Sequence, residues 1–330
     1  RPVPSRAASI EEIKTLASAL RETGSGVMQS TIGPTLLFNE LSEIQKQIGR
    51  PVSWTALLGG AFGPEGHRSV LEMHQKFQEE GTLVFPQVTC RPLNFEFQWK
   101  APFPFESLSM FKPVSAADFD GKKRIYADPE FRRALKEKGS TGTIVARWEN
   151  TVISSCPQDP GLEERSVTEV ASERGVDPVD LVLDLALESN LEARFRMAIM
   201  NTDETIVEEL LRHPSVVLGL SDAGAHASQL CDACFSTHLL SRWVREKKVL
   251  SLEEAVRLLT SRSAEVFDIR DRGRLEVGLA ADITVFDPDT VGCSPLRRVA
   301  DMPAGADRLV SDASGIHAVI VNGVLLREDG

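Results

Sequence analysis

Between residues 9 and 88 the chain alternates helical and extended patterning with short turns, and this alternation restricts the fold more than any other feature. "SIEEIKTLASALRETGSG" (9–26) sets Ile10, Ile13, Leu16, Ala17 and Leu20 at helical spacing, with Ser9 and Glu12 as a capping box and Gly24 as a stop. "VMQSTI" (27–32), "PVSWTALL" (51–58) and "TLVFPQV" (82–88) read as strands. "TLLFNELSEIQKQIG" (35–49) and "GHRSVLEMHQKFQEEG" (66–81) read as the helices between them. Strand and helix in alternation mean parallel βα units and an α/β class.

Residues 89–160 interrupt the rhythm with a Pro- and Phe-rich stretch that reads as an elaborated loop with short helices. The rhythm then resumes. Residues 166–189 read as two helices split at Gly175, "RFRMAIM" (194–200) as a strand and "SVVLGL" (215–220) as a buried strand running into Ser221-Asp222. Residues 233–248 and 251–267 read as helices, the second with a capping box at Ser251 and Glu254. The tail, with "GRLEVGLAADITVFDPDT" (273–290) and "GIHAVIVNGVLL" (315–326), has short β segments and glycine turns. Two domains are expected: 1–270 with the loop 89–160, and a small β portion at 271–330.

Composition narrows the function. At 42% hydrophobic and 26% charged the 330 residues suit a globular protein with a sizeable core. A net charge of −11 argues against nucleic acid and against anionic membranes as partners. No apolar run reaches the roughly 20 residues that span a bilayer, and no signal peptide is read at the start. Five cysteines, an odd number, do not suggest a disulfide framework, so the expected compartment is the cytoplasm. The opening "RPVPSRAASIEE", without an initiator Met, reads as a fragment or a processed form.

Asp222 is the strongest candidate for chemistry. It ends an apolar strand and precedes Ala223-Gly224, and in parallel α/β folds chemistry sits where strands end. A carboxylate there can bind a metal or move a proton to and from water; it can also simply cap the next helix. His226 either lines the same pocket or is a hydrogen-bonded structural group. His226, Cys231, Cys234 and His238 offer four soft ligands for zinc, yet Cys231, Cys234 and His238 also fall on one helical face. Arg91, after the strand "VFPQV", either grips a substrate carboxylate or ties the long loop by a salt bridge. His-x-His, phosphate-loop, dinucleotide and GxSxG patterns are absent.

"LGLSDAGAH", "EEAVRLLTSRSAEVFDIRDRGRLEVGLAADITVFD" and "VTEVASERGVDPVDLVLDLALE" together make residues 166–330 resemble the amidohydrolase superfamily, and within it the N-acyl-D-amino-acid deacylase (D-aminoacylase) branch. Residues 1–90 resemble its later βα units more loosely. The resemblance implies a (β/α)8 TIM-type barrel, incomplete in this chain, with a β-sandwich built from both chain ends. It implies hydrolysis of a non-peptide C–N bond of an N-acyl amino acid or similar small-molecule amide, by a zinc-bound water. The family's strand-8 aspartate falls on Asp222, as proton shuttle and candidate metal ligand. Oligomeric state is left open.

The chain departs from the family in two ways. The first-strand His-x-His and the strand-3 bridging residue are missing, as in a chain without its N-terminal part. The strand-5 histidine position falls near Trp54, Thr55 and Ala56, and the strand-6 position in "VFPQVTCRP", where Gln87 and Arg91 stand as candidate substrate contacts. His67 lies too far past its strand to substitute. Either the metal is held by upstream ligands together with Asp222, or the chain is a metal-free barrel remnant that binds a ligand or partner. An incomplete barrel leaves an open sheet edge, so these residues alone are expected to be poorly stable or inactive.

Overall fold

The computed structural model describes residues 7–138, 147–221 and 227–328. Its first part follows the patterning closely. Helix α1 (Ile10–Thr23) starts at Ser9, whose hydroxyl accepts from the Glu12 amide, and ends at Gly24 with φ 63°. Strand β1 (Met28–Thr31), α2 (Phe38–Ile48), β2 (Val52–Thr55), α3 (Gly66–Glu79) and β3 (Val84–Val88) follow. The strands pair in parallel, with Met28 opposite Val52 and Val52 opposite Val84.

Strand β3 is buried along its whole length and β2 nearly so, as interior parallel strands covered on both faces must be. Val52 and Trp54 face the helices. The Trp54 indole N–H donates to His74 Nε2 at 2.8 Å, and its ring lies 5.1 Å from that of Phe38. Ser53 and Thr55 therefore face the other side of the sheet.

After β3 the chain leaves this sheet. Strand β4 (Leu93–Gln98) pairs antiparallel with β6 (Arg194–Met200), which also pairs antiparallel with β5 (Thr151–Ser155). Helices α4 (Lys112–Ala116), α5 (Phe119–Ala127), α6 (Pro129–Lys138), α7 (Val167–Arg174) and α8 (Pro178–Glu188) belong to the same excursion. Their core is separate and aromatic. Trp99 stacks on Phe105 at 5.3 Å, Phe105 on Phe111 at 5.6 Å, and the Tyr126 hydroxyl donates to the Trp99 carbonyl at 2.7 Å. The interruption expected at 89–160 thus runs on to residue 200. "RFRMAIM", expected to resume the parallel rhythm, is the central strand of an antiparallel sheet. It buries only alternate residues, the mark of a sheet covered more fully on one face.

The parallel arrangement resumes with α9 (Glu204–Arg212) and β7 (Val217–Leu218), which pairs with β3 and gives the strand order β1-β2-β3-β7. Helix α10 (Phe235–His238) continues as a π-helical stretch (Leu239–Glu246). Then come α11 (Leu252–Leu259), with its Ser251–Glu254 capping box, and α12 (Ser261–Val266). The described C-terminal strands form small antiparallel sheets: β8 (Ile283–Phe286), β13 (Ile316–Val321) and β14 (Val324–Glu328); β9 (Gly292–Cys293) with β12 (Ala313–Ser314); β10 (Arg297–Val299) with β11 (Arg308–Val310). Phe286, Val291 and Ile316 seat them on the main core. Gly315 makes the close approach, with φ 69°; a Cβ there would stand 2.5 Å from the Val291 nitrogen.

Asn201 closes the excursion where the chain returns. Its Oδ1 accepts from the Gly59 amide at 2.9 Å, and its Nδ2 donates to the carbonyls of Thr89 (3.1 Å) and Arg91 (2.9 Å). It is 1% exposed and adopts φ 60°, a left-handed conformation that asparagine tolerates better than most residues. Asn201→Ala removes three buried hydrogen bonds and keeps the backbone strain. We expect it to destabilise the protein by about 2–4 kcal/mol, read from denaturant midpoints; an unchanged midpoint would show that the excursion is held elsewhere.

Candidate active site

A cavity of about 480 Å³ opens at the carboxyl ends of β1, β2, β3 and β7. Gln29, Thr31, Thr55, Gln87, Thr89 and Asp232 supply its polar lining, and Ala56, Leu58, Leu93 and Leu220 its apolar part. The Thr31 and Thr55 hydroxyls share a hydrogen bond of 3.1 Å across β1 and β2. Gln87 Nε2 donates to the Ser53 hydroxyl at 3.1 Å, which fixes the side chain within the sheet interior. The Arg91 amide donates to Thr89 Oγ1 at 3.3 Å, and Gly219 N–H donates to the Val88 carbonyl at 2.9 Å. The lining is hydroxyl and amide chemistry with one acid, suited to hydrogen-bonding a neutral polar group.

Arg91 resolves toward the structural ion pair. Its Nε donates to Asp232 Oδ1 at 2.7 Å; the side chains are 15% and 7% exposed. Its Nη1 lies 3.3 Å from His238 Nδ1 and 3.9 Å from Cys293 Sγ. Burial, then the Arg91 charge, hold His238 down at about 4. The ring is therefore neutral near pH 7, and its Nδ1 accepts from Arg91. Asp232 lines the cavity and also ties the following segment, donating its amide to the Ser221 carbonyl at 2.8 Å.

All five cysteines are free. Cys234 lies beside Cys293, which comes from the C-terminal sheets. That contact, with Arg91 nearby, lowers the Cys234 thiol below its ordinary range and raises Cys293. Among the described residues no group of three or more His, Cys, Asp or Glu side chains could hold a metal ion. A zinc clip built on Cys231, Cys234 and His238 is therefore not formed. The cavity donors also do not fit a zinc centre, being threonine hydroxyls, glutamine amides and an aspartate committed to Arg91.

Asp222 and His226 lie outside the described residues. Gln87, next to the last residue of β3, lines the cavity. His67 is 1% exposed on α3 and hydrogen-bonds Glu209 at 3.0 Å, consistent with its distance from the strand end. Sequence reading missed Asp232, Asn201 and the Thr31–Thr55 pair. Asp232 was hidden between two cysteines that drew attention to metal spacing. The inward threonines were legible in principle, since each occupies the last position of its strand.

The amidohydrolase family model matches residues 125–326. The chain belongs to the amidohydrolase family. An uncharacterised protein of Mycobacterium tuberculosis is 32% identical over 232 residues, covering 63% of this chain and 37% of that protein. The N-acyl-D-glutamate deacylase of Alcaligenes xylosoxydans xylosoxydans is 37% identical over 167 residues, covering 50% of this chain and 30% of the deacylase. The crystal structure of D-aminoacylase superposes with a TM-score of 0.57 at 22% identity, over 99% of this chain and 58% of that one. This likeness shows a shared α/β fold. The chain thus spans only about a third of the curated relatives' length and under two thirds of the solved structure's.

Two histidines of this amidohydrolase chain, the buried His74 and the half-buried His238, set a pH dependence. His74, wholly buried, is held at about 4 by burial, as is His238 by burial and Arg91. Exposed histidines titrate near 6.5. Between pH 6.5 and 4 the unfolded chain binds protons that the folded chain refuses, so stability is full above 6.5 and is lost as pH falls through this window. Denaturant midpoints should drop between pH 7 and pH 5, less steeply in His238→Asn; a flat profile would contradict the neutral imidazoles.

Proposed function

We propose that the whole protein hydrolyses a non-peptide C–N bond, removing the acyl group from an N-acyl amino acid. The observation that supports this most is the place of the cavity: at the carboxyl ends of parallel strands, in a family member whose named relatives include N-acyl-D-glutamate deacylase and D-aminoacylase. The reading takes the four parallel strands as an arc of a (β/α)8 barrel, with residues 271–330 as a β-sandwich portion. In that arc β7, which leads to Asp222, is the eighth strand and its partner β3 the seventh. The two histidine positions implied by the family then move back one strand from those expected, onto the ends of β1 and β2, where Thr31 and Thr55 stand.

In this proposal Asp222 takes a proton from the attacking water and delivers it to the departing amine. Gln87, steadied by Ser53, hydrogen-bonds the substrate amide. Arg91 acts through Asp232 instead of gripping the substrate carboxylate itself. A related N-acyl-D-glutamate deacylase from Bordetella bronchiseptica was solved with zinc and a phosphonate inhibitor, and zinc is the metal proposed for the whole protein. The described residues do not assemble its ligands, so no step is derived through it.

Purified protein, including any upstream coding sequence, should release free amino acid from N-acyl-D-amino acids. Asp222→Ala should lower kcat by about 10³-fold or more with the fold intact, as loss of a positioned proton-transfer group does at the upper end. A second reading, a metal-free protein that only binds its ligand, is favoured by the threonine pair at the histidine positions. No turnover by wild type, together with saturable binding of an N-acyl amino acid, would select it.

A further inference from the structure

Three successive carbonyls just beyond Asp222 are each held by a different part of the chain. The Ala227 carbonyl accepts from the Leu309 amide at 2.9 Å, in β11. The Ser228 carbonyl accepts from the Arg298 guanidinium at 2.9 Å, in β10. The Gln229 carbonyl accepts from the Glu96 amide at 2.7 Å, in β4. The same segment closes on itself through the Asp232 amide and the Ser221 carbonyl at 2.8 Å. Arg298 and Glu96 are also joined to each other, since the guanidinium donates to the Glu96 carboxylate. That carboxylate is 5% exposed and lies between two cations, with Arg194 at 3.5 Å; Arg194 and Arg298 then both pair with Asp307, at 3.1 and 3.0 Å.

A buried carboxylate flanked by two guanidiniums is costly to assemble and costly to disturb, because removing one partner leaves a desolvated charge. One guanidinium that satisfies both the carboxylate and a loop carbonyl couples the loop to that cluster. We infer that Arg298 is a positioning residue: through Ser228 it fixes the segment 227–232 against the excursion sheet and the β10–β11 pair, and so sets the place of Asp232 in the cavity lining. The expected effect on turnover rests on the hydrolysis proposed above; the clamp itself does not.

The test is residue-level amide hydrogen exchange on the whole protein, for wild type, Arg298→Ala and the double variant Arg298→Ala/Glu96→Gln. Losing the Arg298 contacts to Ser228, Glu96 and Asp307 should speed exchange at the Asp232, Leu309 and Glu96 amides about tenfold or more, while the amides of α7 and α8 stay protected. In the double variant, where residue 96 no longer carries a buried charge short of one of its two cations, the Asp232 amide should stay fast. Wild-type exchange at these amides in Arg298→Ala would overturn the inference. So would recovery of protection in the double variant, which would assign Arg298 to charge neutralisation alone. In the hydrolysis assay, Arg298→Ala should lower kcat about tenfold with KM within about twofold; a rise in KM alone would overturn the positioning role. If wild type hydrolyses nothing, the proposed function fails, and exchange alone decides whether the clamp exists.

Discussion

The chain leaves its parallel sheet after Val88 and returns at Asn201, and the parallel arrangement on either side depends on how that gap is closed. The Asn201 side chain reaches Gly59, Thr89 and Arg91, so one buried amide ties the ends of the excursion to the loop after β2. With that junction fixed, β7 can lie directly beside β3, although more than a hundred residues with their own aromatic core separate them. The cavity at the strand ends exists because those two strands are neighbours.

The lining then follows from strand geometry. In β2 the alternation sends Trp54 to the helices and Ser53 and Thr55 inward. Gln87 is held by Ser53, and Thr31 and Thr55 satisfy each other. Arg91 and Asp232 form a buried pair whose energy lies mainly in the penalty for breaking it. These groups can orient a polar substrate, but among the described residues they cannot hold a metal ion.

Much of this was legible in the sequence. The alternation through β3, the helix break at Gly175, the Ser251 capping box and the strand running toward Asp222 all rest on local signals. The place of Arg194–Met200 was misjudged because period alone does not say which sheet a strand joins. Its alternation of Arg, Phe, Arg and Met already differed from the fully buried run Val84–Val88, and that contrast marks an antiparallel strand. Partners distant in sequence were not legible at all: Arg91 with Asp232, Cys234 with Cys293, and Arg298 with Glu96 meet only through tertiary packing.

The account proposes that the cavity and Asp222 belong to an acyl-hydrolysing site whose metal ligands the described residues do not complete. Zinc stoichiometry, measured by elemental analysis after exhaustive dialysis on the 330 residues and on the longest natural form that includes them, tests it most directly. The account predicts that the 330 residues retain far less than one zinc per chain and that the longest form retains a stoichiometric amount. Stoichiometric zinc on the 330 residues alone would contradict it.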